Sequence, residues 1–228
     1  AMQSTGVGTL VFSSSCATYG VPDTLPITET SRQNPVNPYG HSKLMCEQMI
    51  RDQAAAGDMQ FALLRYFNAC GADPEGRLFE RHDPETHLIP LVLMAAAGMA
   101  PPLQVFGTDY NTPDGTCIRD YIHVADLARA HVLALRRLQG GSSGFAVNLG
   151  TGTGHSIKGI IQAAEAATGR PVPWHAQARR PGDPPELVAD TSLAAKLLGF
   201  RPQHSSLPEI IRHAAPGFGL EARHDACL

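Results

Sequence analysis

Gly8-Thr9-Leu10-Val11-Phe12-Ser13-Ser14-Ser15, followed by Asn37-Pro38-Tyr39-Gly40-His41-Ser42-Lys43, decides how this chain folds. The first stretch is a run of apolar and β-branched residues ending in hydroxyls, which reads as a strand buried on both faces of a parallel sheet. The second opens a helix: Asn37 supplies an N-cap, Pro38 suits the first helical position, and Gly57 marks the end. Inside that helix Tyr39 and Lys43 stand four residues apart, so both face the same way. A phenol is a poor base at neutral pH because its unperturbed pKa is about 10, but a neighbouring cation favours the phenolate. Parallel strands end where α/β sites assemble, so Ser15, Tyr39 and Lys43 are candidates for one catalytic site.

Working outward, strand-like runs recur at 61–67, 103–106, 118–124 and 145–149. Helical patterns at 38–56, 87–99, 125–138, 156–168 and 191–198 lie between several of them, an alternation that predicts an α/β fold. The polar stretch Gly71 to Thr86 is long for a structureless connection and is expected to cover a ligand. Gly150-Thr151-Gly152-Thr153-Gly154 follows a strand and opens a helix, but His155 breaks the spacing of a dinucleotide loop. It reads as a tight turn with Ser156 as helix cap.

The chain has 228 residues, 43% of them hydrophobic, and a formal charge of −3, enough for an ordinary globular core and without the basic stripe of a nucleic-acid binder. No run of about 18 apolar residues suggests a membrane span, and no signal peptide is evident, so a cytoplasmic protein with a small-molecule ligand is expected. Five cysteines, odd in number and widely spread, suggest neither disulfides nor a zinc finger. His123, His131, His155 and His175 show no metal spacing, so no metal site is expected, and Trp174 reads as core. Ala1 to Gly6 reads as the last turn of a helix feeding a strand, which suggests a fragment.

Several longer stretches occur in a particular order: Ser13-Ser14-Ser15-Cys16-Ala17-Thr18-Tyr19-Gly20, Asn37 to Lys43, Leu64-Arg65-Tyr66-Phe67-Asn68, Val105-Phe106-Gly107-Thr108-Asp109-Tyr110, Asp114 to His123, Asn148 to Gly152, and Arg179-Arg180-Pro181-Gly182-Asp183. In this, residues 8 to 213 resemble the extended short-chain dehydrogenase/reductases that act on nucleotide sugars, and among them the UDP-glucose 4-epimerases. The resemblance implies the C-terminal part of a Rossmann-like parallel sheet plus a smaller α/β substrate-binding domain. Residues 1–70 would be what remains of the NAD-binding domain, and 71–228 mainly the substrate domain, with segments at about 103–150 returning to the sheet. The implied reaction is interconversion of UDP-galactose and UDP-glucose through a 4-keto sugar with bound NAD. Such enzymes are commonly homodimers.

The resemblance assigns roles by position. Tyr39 would take the proton of the sugar 4-hydroxyl, Lys43 would lower its pKa and reach the nicotinamide ribose, and Ser15 would hold the sugar oxygen. Tyr66 and Phe67 would border the nicotinamide. Asn68, His87, Leu88, Gln104, Phe106, Arg119, Arg180 and Asp183 would meet the UDP-sugar, the two arginines facing the diphosphate because a guanidinium fork matches phosphate oxygens. Ser13 and Ser14 would either touch cofactor or satisfy strand-end amides. Arg119 would alternatively pair with Asp120 or Asp126.

Departures from the family pattern accompany this. No glycine-rich pyrophosphate turn precedes Ser15, so an N-terminal NAD-binding half is expected to be missing and the fragment alone to be inactive. Phe79 replaces a glycine and His87 an asparagine. Leu187 stands at the gatekeeper position that decides whether N-acetylated sugars enter, which leaves UDP-N-acetylglucosamine 4-epimerase open; a non-catalytic nucleotide-sugar binding remnant is the other alternative. Ser13-Ser14-Ser15-Cys16 carries no carboxylate, unlike the related dehydratases that must eliminate water, which favours epimerisation. Pro216 to Leu228 breaks the last helix and is expected to be disordered.

Overall fold

The structure is a computed structural model in which residues 1–222 are described. After a short 3₁₀ turn, β1 (Thr9–Ser15) leads through a long connection into α1 (Pro38–Ala55), then β2 (Gln60–Tyr66) and β3 (Asn68–Cys70). The chain continues through α2 (Leu88–Ala96), β4 (Leu103–Phe106), β5 (Ile118–His123), α3 (Val124–Gln139) and β6 (Phe145–Leu149). It finishes with β7 (Gly154–Ser156), α4 (Ile157–Thr168), β8 (Trp174–Gln177), β9 (Glu186–Leu187), α5 (Ser192–Leu198) and α6 (Leu207–Ala214). The expected α/β class is what the chain forms.

β1, β2 and β6 make a parallel sheet in that order, with Ser15 beside Tyr66 in register. The alternation along β2 sorts two faces. Ala62, Leu64 and Tyr66 turn toward a core built with α3 and α5, where Leu127, Ala130, Ala134, Leu138 and Leu198 are buried. Arg65 turns the other way, toward Glu47 on α1. Both faces are therefore covered, which is why β1 and β2 read as near-continuous apolar runs. Of the segment 103–150, α3 and β6 belong to this layer, whereas β4 pairs with β8 and β5 with β3, β7 and β9. A second core lies among α2, α4 and α6, with Leu93, Val105, Tyr121, Ile160 and Ile210 inside.

Two expectations are corrected here. Trp174 is not core: it sits on β8, a strand whose four residues are all exposed. Order also extends past Pro216, because a 3₁₀ turn at Ala215–Phe218 carries the chain back so that Leu220 is buried in the second core. Residues 223–228, including Cys227, lie outside the described residues. The remaining cysteines, Cys16, Cys46, Cys70 and Cys117, are free thiols.

His123 caps α3, its Nδ1 accepting the Ala125 amide at 3.0 Å. That leaves the ring proton on Nε2, which donates to His213 Nδ1 at 3.0 Å. His123 is fully buried, and burial followed by the charge of His213 pushes its pKa from 6.5 down to about 4. The fold thus holds a neutral ring that the unfolded chain protonates. Stability from this group is complete above pH 6.5 and is lost as pH falls toward 4, by about 3 kcal/mol over the window. Urea unfolding across that range is expected to show the loss, and His123→Asn, which retains an acceptor for the cap, to flatten it.

Candidate functional site

Asn37 is the cap the sequence predicts: its Oδ1 accepts the Gly40 amide at 2.8 Å, with Pro38 at the first helical position. Gly40 is required for a different reason. A Cβ there would stand 2.4 Å from the Ala17 carbonyl oxygen, so only glycine lets the first turn of α1 approach the end of β1. That approach places Tyr39 in the wall of a cavity of about 1570 Å³, above the range of about 300–1,000 Å³ typical of a single small-ligand pocket. The volume suits an extended ligand with several parts.

Lys43 lies beside Tyr39. Its ammonium donates to the Ser13 carbonyl at 2.9 Å and stands 5.6 Å from the Tyr39 ring centroid and 5.1 Å from that of Phe12. Tyr39 itself is 56% exposed, so its hydroxyl can meet a ligand. The two groups the sequence placed on one helix face do converge.

The cavity wall gathers most of the other candidates: Tyr66, Phe67, Asn68, His87, Leu88, Gln104, Phe106, Arg119, Arg180 and Asp183. In the same wall the Arg180 guanidinium lies 4.0 Å from the Phe106 ring centroid, a stacked pair that presents a flat face and a charge together. Arg119 pairs with Asp183, rather than with Asp120 or Asp126, and also donates to the Pro184 carbonyl at 2.8 Å. Asn68 donates to the Asp120 carbonyl at 3.0 Å, holding β3 on β5. The loop from Gly71 to Thr86, expected to cover a ligand, contributes Asp73, Arg77, Phe79 and His82 to the wall.

Three candidates are placed elsewhere. Ser15 is buried, and its Oγ accepts the Ala17 amide at 3.1 Å as the cap of a short 3₁₀ turn. Lys43 stands behind Tyr39 and does not line the cavity. Leu187 packs in a small apolar cluster with Phe67, Tyr19 and Ile27, one layer behind the wall residue Phe67.

Ser13 and Ser14 bond other side chains at the strand end, and Ser14 also lines the cavity. Ser14 donates to Glu47 at 2.5 Å, and Ser13 accepts from Tyr66 Oη at 2.7 Å. Tyr66 also meets His131 Nε2 at 2.5 Å, and His131 Nδ1 faces the Leu127 carbonyl at 2.8 Å. Burial raises the Tyr66 pKa, so this phenol is kept protonated. His131 and Cys117, the latter in the cavity wall, were not singled out for the site; an apolar-flanked histidine inside a helix carries no signal that it reaches a strand end.

Behind Ser14 lies a buried polar network. Glu47 receives Arg65 Nε at 2.9 Å and Nη2 at 2.6 Å, a bidentate pair, and Arg65 Nη1 donates to Tyr19 Oη at 2.8 Å. Tyr19 passes the chain to Asn148 Oδ1 at 2.7 Å. Burial by itself would raise the Glu47 pKa, but the hydrogen bonds and charge of Arg65 outweigh it and hold the carboxyl below its ordinary value. Burial pushes Tyr19 up to about 12. The network ties α1, β1, β2 and β6 together directly under Tyr39.

The glycine-rich turn after β6 does bind an anion, but an internal one. Asp120 accepts the Thr151 amide at 2.8 Å, the Gly152 amide at 2.9 Å and the Ala189 amide at 3.2 Å. A Cβ at Gly150 would lie 2.5 Å from the Asp120 carboxylate, so glycine is needed for the approach. Ser156 caps α4 as expected, accepting the Gly159 amide at 3.0 Å.

A parallel sheet with helices on both faces, its strand ends facing a cavity lined by an exposed tyrosine, arginines and aromatics, is an α/β arrangement of the Rossmann class. Residues 1–150 match the NAD dependent epimerase/dehydratase family, to which this chain belongs. Among its relatives, UDP-glucose 4-epimerase of Rhizobium leguminosarum bv. trifolii is 51% identical over 214 residues, covering 94% of this chain and 65% of the relative. The crystal structure of UDP-glucose 4-epimerase from Brucella ovis in complex with NAD is 58% identical, with a TM-score of 0.95 over 97% of this chain and 68% of that one. That from Bifidobacterium longum in complex with NAD⁺ and UDP is 41% identical, with a TM-score of 0.88 over 94% of this chain and 64% of that one. The chain spans 60–65% of the length of the first curated relatives it matches.

Proposed function

We propose that the protein to which these residues belong is an isomerase that interconverts UDP-galactose and UDP-glucose with NAD. The observation that carries this is one cavity lined both by Tyr39, with the Lys43 ammonium beside it, and by Phe106 stacked on Arg180. The chemistry present fits the nicotinamide end of NAD: a phenol and an ammonium for the ribose, and the rings of Tyr66 and Phe67 for an apolar wall. The glycine-rich turn after β6 is not free to take its pyrophosphate, since its amides are filled by Asp120. NAD, when bound, supplies the acceptor and donor of hydride at the sugar C4.

In this reading the chain's own work is binding and proton handling. Tyr39 takes the proton from the sugar 4-hydroxyl and returns it, and the Lys43 ammonium stabilises the phenolate formed. Arg119 and Arg180 bind the diphosphate, Phe106 stacks on the base, and Asp183 accepts from a ribose hydroxyl. Ser15 acts by shaping the strand end against the sugar, through its cap on Ala17. Gln104, His87 and Leu88 complete the wall. The homodimer and a cytoplasmic setting belong to this proposal on the strength of the resemblance; among the described residues, no helix is long and apolar enough to cross a membrane.

The test is an assay of the protein at the full length of its relatives with UDP-galactose and, separately, its N-acetyl analogue. Conversion of UDP-galactose is expected, and Arg180→Ala is expected to raise KM about 10-fold or more with a smaller effect on kcat, because it removes ground-state and transition-state binding alike. Absence of any conversion in the intact protein would remove the isomerase reading.

A further inference from the structure

The expectation of no metal site rested on the dispersed histidines His123, His131, His155 and His175. The loop over the cavity brings two others together. In Glu80-Arg81-His82-Asp83-Pro84-Glu85-Thr86-His87, the ligand atoms of Glu80, His82, Glu85 and His87 all lie within 4.8 Å of one another. His87 Nδ1 stands 2.8 Å from Glu85 Oε1 and 3.1 Å from Glu80 Oε1. His82 Nδ1 stands 3.1 Å from Glu80 Oε1 and 3.6 Å from Glu85 Oε2. We propose that these four side chains form a site for a zinc-class divalent metal ion, which fastens the loop across the cavity.

Three observations support the assignment. Ligands bonded to zinc at about 2.0–2.1 Å in a tetrahedron sit about 3.3 Å apart, and the four separations above bracket that edge. The donor set, two imidazole nitrogens and two carboxylates, is one that zinc and its first-row neighbours accept, whereas calcium and magnesium prefer oxygen alone. Glu85 is also already oriented. Its Oε1 accepts the Thr86 amide at 2.6 Å and the His87 amide at 2.7 Å, the kind of outer support that ligating carboxylates receive.

Charge points the same way. Among the described residues, no lysine or arginine forms an ion pair with Glu80 or Glu85; their partners are the two histidines alone. The Glu85 side chain is only 5% exposed, so water does little to stabilise it. A divalent ion would neutralise both carboxylates at once. Histidine ligation through Nδ1 would displace the protons that now bridge to them.

The inference stands apart from the epimerase reading, because it is tested by binding alone. The protein is stripped with EDTA, dialysed free of chelator and titrated calorimetrically with Zn²⁺ at neutral pH. A single zinc per chain is expected, with His82→Ala and Glu85→Gln each weakening binding by about 10-fold or more. Cobalt(II) substituted into the same protein is expected to give the intense visible bands of a four-coordinate ion, absent in His82→Ala. No zinc uptake by the wild-type chain, or equal uptake and equal cobalt spectra in wild type and variants, would overturn the site. His175→Gln, on the exposed strand β8, is the control whose binding should match wild type.

Discussion

Tyr39→Phe, made in the protein at the full length of its relatives, is expected to lower UDP-galactose turnover by about 10²–10⁴-fold, the usual contribution of a positioned acid–base group. The ring stays and only the hydroxyl leaves, so the first turn of α1, fixed by the Asn37 cap and the Gly40 approach, is undisturbed. Lys43 keeps its bond to the Ser13 carbonyl, because that contact does not involve Tyr39. NAD content, read from the absorbance of the purified protein, should therefore equal that of wild type while kcat falls. A variant that turns over normally would take Tyr39 out of the chemistry. One that loses NAD along with activity would show that the phenol is needed to hold the cofactor, and kcat would then no longer isolate its part in proton transfer.

Glu47→Ala should be the most damaging single change to the fold. It leaves the Arg65 guanidinium, nearly fully buried, without its bidentate partner, and an uncompensated charge of this kind costs about 3–5 kcal/mol. That is a large share of the roughly 5–15 kcal/mol that holds a typical domain together. Urea unfolding would show the midpoint move sharply down. The double variant Glu47→Leu with Arg65→Met removes both charges and fills the space with apolar atoms, so it should recover much of the loss. If the double variant is as unstable as the single one, the cost lies in lost packing, and the pair contributes little as a pair. Since Ser14 also donates to Glu47, the single change should loosen the strand end beneath the site.

What could be read from the residues alone was whatever depends on neighbours in the chain. β1 announced itself by an unbroken apolar run, and α1 by its cap, its proline and the spacing of Tyr39 and Lys43; each is a local effect of backbone sterics and periodicity. Glu47 and Arg65 were passed over because each, taken alone, is an ordinary surface charge. Only the packing of α1 on β2 turns them into a buried pair. Ser15 was correctly placed at a strand end; its Oγ accepts the Ala17 amide of the 3₁₀ turn that follows, which leaves its O–H free to donate. Trp174 was misjudged because hydrophobicity predicts that a side chain prefers burial, not which surface meets it. It falls on an outer strand and is left exposed. That Glu80, His82 and Glu85 gather on His87 could not be read, because their convergence depends on how an irregular loop folds back on itself.

The carboxylate of Asp120, seated in the amides of the turn after β6, has a bearing beyond this chain. Backbone N–H groups, the kind of donor that also cradles a nucleotide's pyrophosphate, are here plugged from within, so a glycine-rich turn by itself records only that some anion is embraced. Whether that guest is soluble or covalently part of the polypeptide is decided by a residue dozens of positions away. A search for nucleotide folds that also asked which acidic side chain could reach the loop would tell a receptor from a brace.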